Sequence, residues 1–88
     1  MTPVSPAEVV AQFTIQPFVP GHMQPHVRAG VDAARASGLA VEVGPFETGL
    51  AGARAEVLDT LRSVVEAAIE AGAHSIEVTL QVPSEARR

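Results

Sequence analysis

Several segments of the chain alternate between apolar and polar residues. In the first of them Val9, Ala11, Phe13 and Ile15 alternate with Val10, Gln12, Thr14 and Gln16. A period of two residues predicts a strand that buries one face. The predicted strands are 8–17, 39–43 and 74–82, with a shorter one over 46–51.

Two other segments carry apolar residues three and four positions apart, as on one face of a helix. The first begins at Pro25, a residue that suits the first position of a helix, and ends near Ser37, just before Gly38. The second runs over 53–71 and ends before Gly72. Its apolar stripe consists of Val57, Leu58, Leu61, Val64, Val65, Ala68 and Ile69.

The predicted elements follow one another as strand, helix, strand, strand, helix, strand, which is two split βαβ units side by side. With right-handed crossovers this order gives a four-stranded antiparallel sheet with both helices on one face. The sequence therefore predicts a ferredoxin-like α+β sandwich of βαββαβ type. In this fold the first and third strands are neighbours at the centre of the sheet.

The two faces of the predicted sheet differ in polarity. We expect the face under the helices to bury the aliphatic residues, including Val78 and Leu80 of the last strand. The open face is polar with little charge, which is unusual for a face left in water. It consists of Val10, Gln12, Thr14, Gln16, Ala40, Glu42, Glu77, Thr79 and Gln81. We therefore expect it to meet a partner or a ligand.

The length of 88 residues suits one domain. We predict this domain over 8–83, a flexible N-terminal extension over 1–7 and a flexible tail over 84–88. A chain of this size buries only roughly 60–65% of its unfolded surface. Because it has no cysteine, no disulfide can add stability. Self-association is the remaining common way to bury more surface.

Charge and hydropathy exclude several classes of partner. The formal net charge is -4 and the chain has no lysine, which argues against nucleic-acid binding. No apolar run approaches the roughly 18 residues of a membrane span. The first residues lack the basic and apolar regions of a secretory signal. The prediction is a cytoplasmic protein that binds neither nucleic acid nor membranes.

Catalytic and metal-binding motifs find little support. His22 and His26 have a spacing that can hold zinc, but Pro25 lies between them and no third ligand is evident. No serine lies in a nucleophile motif, and the glycines do not form a phosphate loop. We predict a protein that is not an enzyme, with no catalytic residue, no metal and no required cofactor. Two alternatives stay open: an enzyme built at an oligomer interface, with His26 or Glu47 as acid or base, and a structural or regulatory interaction protein.

Four stretches resemble the YkoF-like thiamine-binding-protein family. They are PF after the first strand, PHVRAGVDAAR in the first helix, SGLAVEVGPFET through the hairpin and AGAHSIEVTLQV at the end. The resemblance covers most of the chain. It implies a ferredoxin-like fold, assembly into dimers and often tetramers, and, as in some members, binding of thiamine or its hydroxymethylpyrimidine part. We therefore predict a non-catalytic protein that binds one of these ligands.

A thiamine site needs an acid or amide, hydroxyl groups and an aromatic face, because thiamine joins a cationic thiazolium to an aminopyrimidine. The ends of the first strand and the hairpin offer these groups. The predicted ligand-binding residues are Thr14, Gln16, Phe18, Phe46, Glu47 and Thr48. In the alternative interpretation, Phe18 and Phe46 are core residues that pack at the strand ends and bind no ligand.

Overall fold

The computed structural model describes residues 7–17, 19 and 21–83. Its elements are β1 (Val9–Gln16), α1 (Pro25–Ala36), β2 (Ala40–Val43), β3 (Thr48–Gly52), α2 (Arg54–Glu70) and β4 (Ser75–Gln81). This order confirms the predicted βαββαβ arrangement, and the boundaries differ from the predicted ones by one or two residues. Phe18, the tail over 84–88 and all of the predicted N-terminal extension except Ala7 lie outside the described residues.

The four strands form one antiparallel sheet in the order β2-β3-β1-β4. The prediction that the first and third strands are central neighbours is therefore confirmed. Phe13 of β1 pairs with Thr48 of β3, which sets the carboxyl end of β1 beside the first residue of β3. The turn between β2 and β3 thus lies next to the end of β1.

The core lies between the sheet and the two helices. Every second residue of β1, from Val9 to Ile15, is buried, and the residues between them are half-buried, as the period of two predicts. In α1, Val27, Val31 and Ala34 are buried at helical spacing. Gly30 on the same helix lies so close to Ile15 that an added Cβ would collide with Cδ1 of that side chain. The first helix therefore packs tightly on the end of β1.

The last strand departs from the expected burial. Val78 is 41% exposed and Leu80 is 47% exposed, although both lie on the helix side, opposite Phe13 and Ala11 of β1. The expectation that these side chains are buried was wrong for the single chain. The helices pack against each other and against the other three strands, so the edge strand β4 stays largely uncovered. The buried stripe of α2 is likewise narrower than predicted, since Leu58 and Ile69 are exposed.

A carboxylate from outside α2 caps its amino end. The N-cap residue is Ala53, whose methyl side chain cannot accept a hydrogen bond. The first turn of the helix contains a single acidic residue, Glu56. The Glu8 Oε1 atom accepts a hydrogen bond of 2.8 Å from the backbone N–H of Arg54. An anion at this position also interacts favourably with the helix dipole. Residues distant in the chain thus secure the start of α2.

Within the described ranges, neither helix is both long enough and apolar enough to cross a membrane.

Candidate functional site

A cavity of about 300 Å³ opens at the end of the sheet where β1 stops. Three parts of the fold enclose it: the end of β1 with the loop that follows, the first turns of α1, and the turn between β2 and β3. The described residues that line it are Phe13, Thr14, Ile15, Val19, Gly21, His22, Met23, Val27, Val31, Val43, Gly44, Pro45, Phe46, Glu47 and Thr48. Its volume lies at the lower end of the range of small-molecule sites.

The inner wall of the cavity is apolar. Phe13 and Ile15 of β1 and Val31 of α1 are each only 2% exposed, so the cavity reaches down to the core. Thr48, the first residue of β3, directly follows the turn. It is also buried, so it is a polar residue within this apolar wall. A flat, largely apolar ring with one polar edge suits such a wall.

A tight turn brings the polar residues of the hairpin to the cavity. The backbone N–H of Gly44 donates a hydrogen bond of 2.8 Å to the carbonyl of Glu47, which closes the four-residue turn. Thr14 Oγ1 donates a hydrogen bond of 3.3 Å to the carbonyl of Phe46, which ties the turn to β1. Phe46 is 63% exposed and Glu47 is exposed, and both line the mouth of the cavity.

The loop before α1 supplies the other side of the mouth. The backbone N–H of His22 donates to the carbonyl of Val19 at 3.1 Å, and Gly21 takes the left-handed φ of 77° within this turn. Beneath it, buried His26 donates from Nε2 to the carbonyl of Pro17 at 2.6 Å, because a carbonyl can only accept. The first turn of α1 is thereby fastened to the end of β1.

Little charge surrounds the cavity. Among the described residues that line it, His22 and Glu47 are the ionisable ones, and neither lysine nor arginine is present. Arg54 lies beyond Gly52, whereas the cavity borders the opposite end of β3, at Thr48. In the part of the chain that the structure describes, no three His, Asp or Glu residues form a group that could hold a metal ion.

The structure brings four of the six predicted ligand-binding residues together around this cavity: Thr14, Phe46, Glu47 and Thr48. Gln16, the last residue of β1, pairs with Ser75 of β4 and is not among the lining residues. Phe18 lies outside the described residues.

Sequence reasoning missed the contributions of the loop and the first helix. Val19, His22 and Met23 come from the loop, and Val27 and Val31 come from α1. The alternation pattern placed the two valines in the core without indicating a space above them. The Pro- and Gly-containing loop between β1 and α1 was the signal that could have pointed to a binding loop.

The open face of the sheet holds a second hollow of about 330 Å³. Small residues, among them Ala40, Gly49 and Ala51, create it by leaving space between longer side chains. Gly44 and Glu47 border both spaces, since the hairpin turn lies between the two faces. This hollow lacks the aromatic residues that the first cavity offers.

Comparison with known proteins extends these observations. The sequence model of the family described as "Thiamine-binding protein" matches residues 11–87. The comparison with curated proteins gave no match.

Solved structures share the fold. A domain of unknown function, DUF77, from Bacillus cereus is 29% identical with a TM-score of 0.56, over 85% of this chain and 73% of that one. A hypothetical protein of Methanocaldococcus jannascii is 19% identical with a TM-score of 0.65, over 86% and 78%. A candidate thiamine biosynthesis/salvage protein of Thermotoga maritima is 20% identical with a TM-score of 0.53, over 90% and 85%.

Proposed function

Because the chain belongs to the thiamine-binding-protein family, we propose that it binds thiamine, or the hydroxymethylpyrimidine part of thiamine, in the cavity between β1, α1 and the β2–β3 turn. The observation that carries this proposal is the lining of that cavity. It combines a buried apolar wall with a hydroxyl group at Thr48, a carboxylate at Glu47 and an aromatic ring at Phe46. These are the groups that an aminopyrimidine joined to a cation requires.

The polarity of the cavity suggests the orientation of the ligand. The pyrimidine ring enters between Phe13, Ile15 and Val31, where Thr48 can exchange a hydrogen bond with its polar edge. The thiazolium then lies at the mouth, between the ring of Phe46 and the carboxylate of Glu47. A cation gains most from this pair because both the ring face and the carboxylate attract positive charge.

We further propose that the protein is not an enzyme and needs no cofactor for binding. Of the two residues considered as acid or base, His26 engages its Nε2 with the carbonyl of Pro17. An enzymatic alternative would therefore rest on Glu47, and among the described residues His22 is the other ionisable group that lines the cavity.

Titration calorimetry of thiamine and of hydroxymethylpyrimidine into the protein tests the proposed function. We expect one site per chain and saturable binding. The substitution Val43→Trp should abolish it, because Val43 lines the cavity and is only partly buried, so an indole there can fill the space without disturbing the core.

Leu58→Trp is the matched control, since it adds the same group at an exposed position on α2, away from the cavity. It should bind as the unmodified protein does. Absence of binding for both ligands in the unmodified protein, or unchanged binding in Val43→Trp, would contradict the proposal. An interaction protein without a ligand would give the first of these results.

We also propose that the chain self-associates into a dimer or tetramer in the cytoplasm. Its buried hydrophobic core contains few large side chains, and several large aliphatic residues stay exposed. Light scattering at micromolar concentration should give at least twice the chain mass of 9.1 kDa. A mass of one chain would contradict this proposal.

A further inference from the structure

Two ionisable side chains, those of His22 and Glu47, line the mouth of the cavity from different parts of the fold. His22 belongs to the loop before α1, and Glu47 belongs to the turn between β2 and β3. A sphere of about 300 Å³ is about 8 Å across, which is comparable to the Debye length at physiological ionic strength. A charge on either side chain therefore acts on any ion that the cavity holds.

The backbone keeps His22 at the mouth. Its N–H donates a hydrogen bond of 3.1 Å to the carbonyl of Val19, and the two residues form an isolated β-bridge. Met23, the next residue, also lines the cavity, and His26 in the first turn of α1 is bonded to the carbonyl of Pro17. The side chain of His22 is exposed, so it exchanges protons directly with the solvent.

The elements packed around the mouth bring few other charges to it. The strand β1 contains no ionisable residue. In the hairpin, Glu42 borders the hollow on the open face and not the cavity. The helix α1 lines the cavity with two valines, whereas its ionisable residues His26, Arg28, Asp32 and Arg35 are not among the lining residues. Among the described residues, His22 therefore faces one charged group across the mouth, Glu47.

We propose that His22 sets the charge that the mouth accepts: neutral His22 leaves Glu47 to an organic cation, and protonated His22 pairs with Glu47 and repels such a cation. This inference rests on the proposed function and adds to the same site a specificity-determining residue and a pH dependence. A histidine ordinarily changes charge between about pH 5 and 8, whereas a glutamate is ordinarily ionised above about pH 4.3. Over that range the pair changes from one negative charge to none as the pH falls.

The direction of the effect follows from the signs of the charges. At about pH 8 a histidine is mostly neutral, so the carboxylate of Glu47 attracts the thiazolium. At about pH 5.5 protonated His22 cancels this attraction. Coupling between two bound species is reciprocal, so a cation that the proton on His22 repels also displaces that proton. Thiamine binding near the middle of this range should therefore release protons to the solvent.

Titration calorimetry of thiamine at pH 5.5 and at pH 8.0 tests the proposal. We expect the Kd of the unmodified protein to rise at least about fivefold between pH 8.0 and pH 5.5. The same ratio should be at most about twofold in His22→Gln, because glutamine keeps a polar side chain but gains no proton. Any titration of thiamine itself contributes equally to both proteins, so the difference between the two ratios measures the effect of His22.

His74→Gln is the matched control, because His74 is also an exposed histidine but does not line the cavity. It should keep the ratio of the unmodified protein. Circular dichroism establishes that each variant is folded, and His22→Asn takes the place of His22→Gln if the latter does not fold.

Proton release provides a second measurement, made by calorimetry near pH 6.5 in buffers that differ in their enthalpy of ionisation. The unmodified protein and His74→Gln should release more protons per bound thiamine than His22→Gln. An equal Kd ratio, or equal proton release, in the unmodified protein and His22→Gln overturns the role of His22 and leaves the proposed function intact. Absence of thiamine binding to the unmodified protein at pH 8.0 contradicts the proposed function itself.

Discussion

Replacement of Leu61 by alanine should lower the free energy of unfolding by about 2–4 kcal/mol. Leu61 lies in the middle of α2, is only 8% exposed and belongs to the single hydrophobic core. Truncation removes the transfer free energy of its lost methyl and methylene groups and leaves a space that the helix cannot close fully. Urea denaturation followed by circular dichroism measures the loss as a shift of the midpoint.

Leu58 provides the control for this prediction. It lies less than one turn earlier on the same helix and is 47% exposed. Leu58→Ala has the same change in composition and helix propensity, but it empties no buried space, so it should cost under about 1 kcal/mol. Equal midpoint shifts for the two variants would mean that the inner face of α2 has been misassigned.

Thiamine should bind at least tenfold more tightly than thiamine diphosphate. The described lining of the cavity offers Glu47 for the thiazolium cation but no lysine or arginine for two phosphate groups. Arg54 follows the opposite end of β3 and does not line the cavity. Its backbone N–H donates a hydrogen bond to Glu8 Oε1. Calorimetric titration of both ligands at one ionic strength measures the ratio.

The substitution Glu47→Gln should weaken thiamine binding about tenfold, equivalent to about 1.4 kcal/mol, because it removes the charge but keeps the shape of the side chain. Its effect on hydroxymethylpyrimidine, which lacks the thiazolium, should be small. Glu42→Gln is the control, since Glu42 lies on the same hairpin but borders the hollow on the open face. If Glu47→Gln binds thiamine as tightly as the unmodified protein, Glu47 is not the cation partner. Tighter binding of the diphosphate would contradict the site assignment altogether.

The fold could be predicted from the sequence because local and long-range signals agree. The alternation in β1 matches its buried positions one for one, and Pro25 begins α1 where its fixed φ suits a helix. The βαββαβ order then leaves few topologies, of which the antiparallel sheet in the order β2-β3-β1-β4 is observed.

Burial at the edge of the sheet could not be predicted in the same way. The apolar alternation of β4 is as regular as that of β1, yet Val78 and Leu80 are exposed because the two helices pack mainly on β1, β2 and β3. A hydrophobic pattern states which face is apolar but not what covers it.

The candidate site was predictable only in part. Thr14, Phe46, Glu47 and Thr48 could be brought together because the strand order alone sets the end of β1 beside the hairpin. Gln16 ends β1, pairs with Ser75 of β4 and is not among the residues that line the cavity. The path of the loop that carries His22 and Met23 depends on contacts such as that of His26 with Pro17, which spacing in the sequence does not reveal.

The close approach of Gly30 to Ile15 makes the capacity of the cavity adjustable from a position that no ligand touches. Ile15 lies between Gly30 and the cavity. Its side chain contacts α1 at Gly30, and the same residue forms part of the cavity wall. A methyl group at Gly30 would displace Ile15, and because Val64 packs close behind the same point, the free space on the cavity side is the available direction. A single residue on the buried side of α1 can therefore change the size of ligand that the cavity admits.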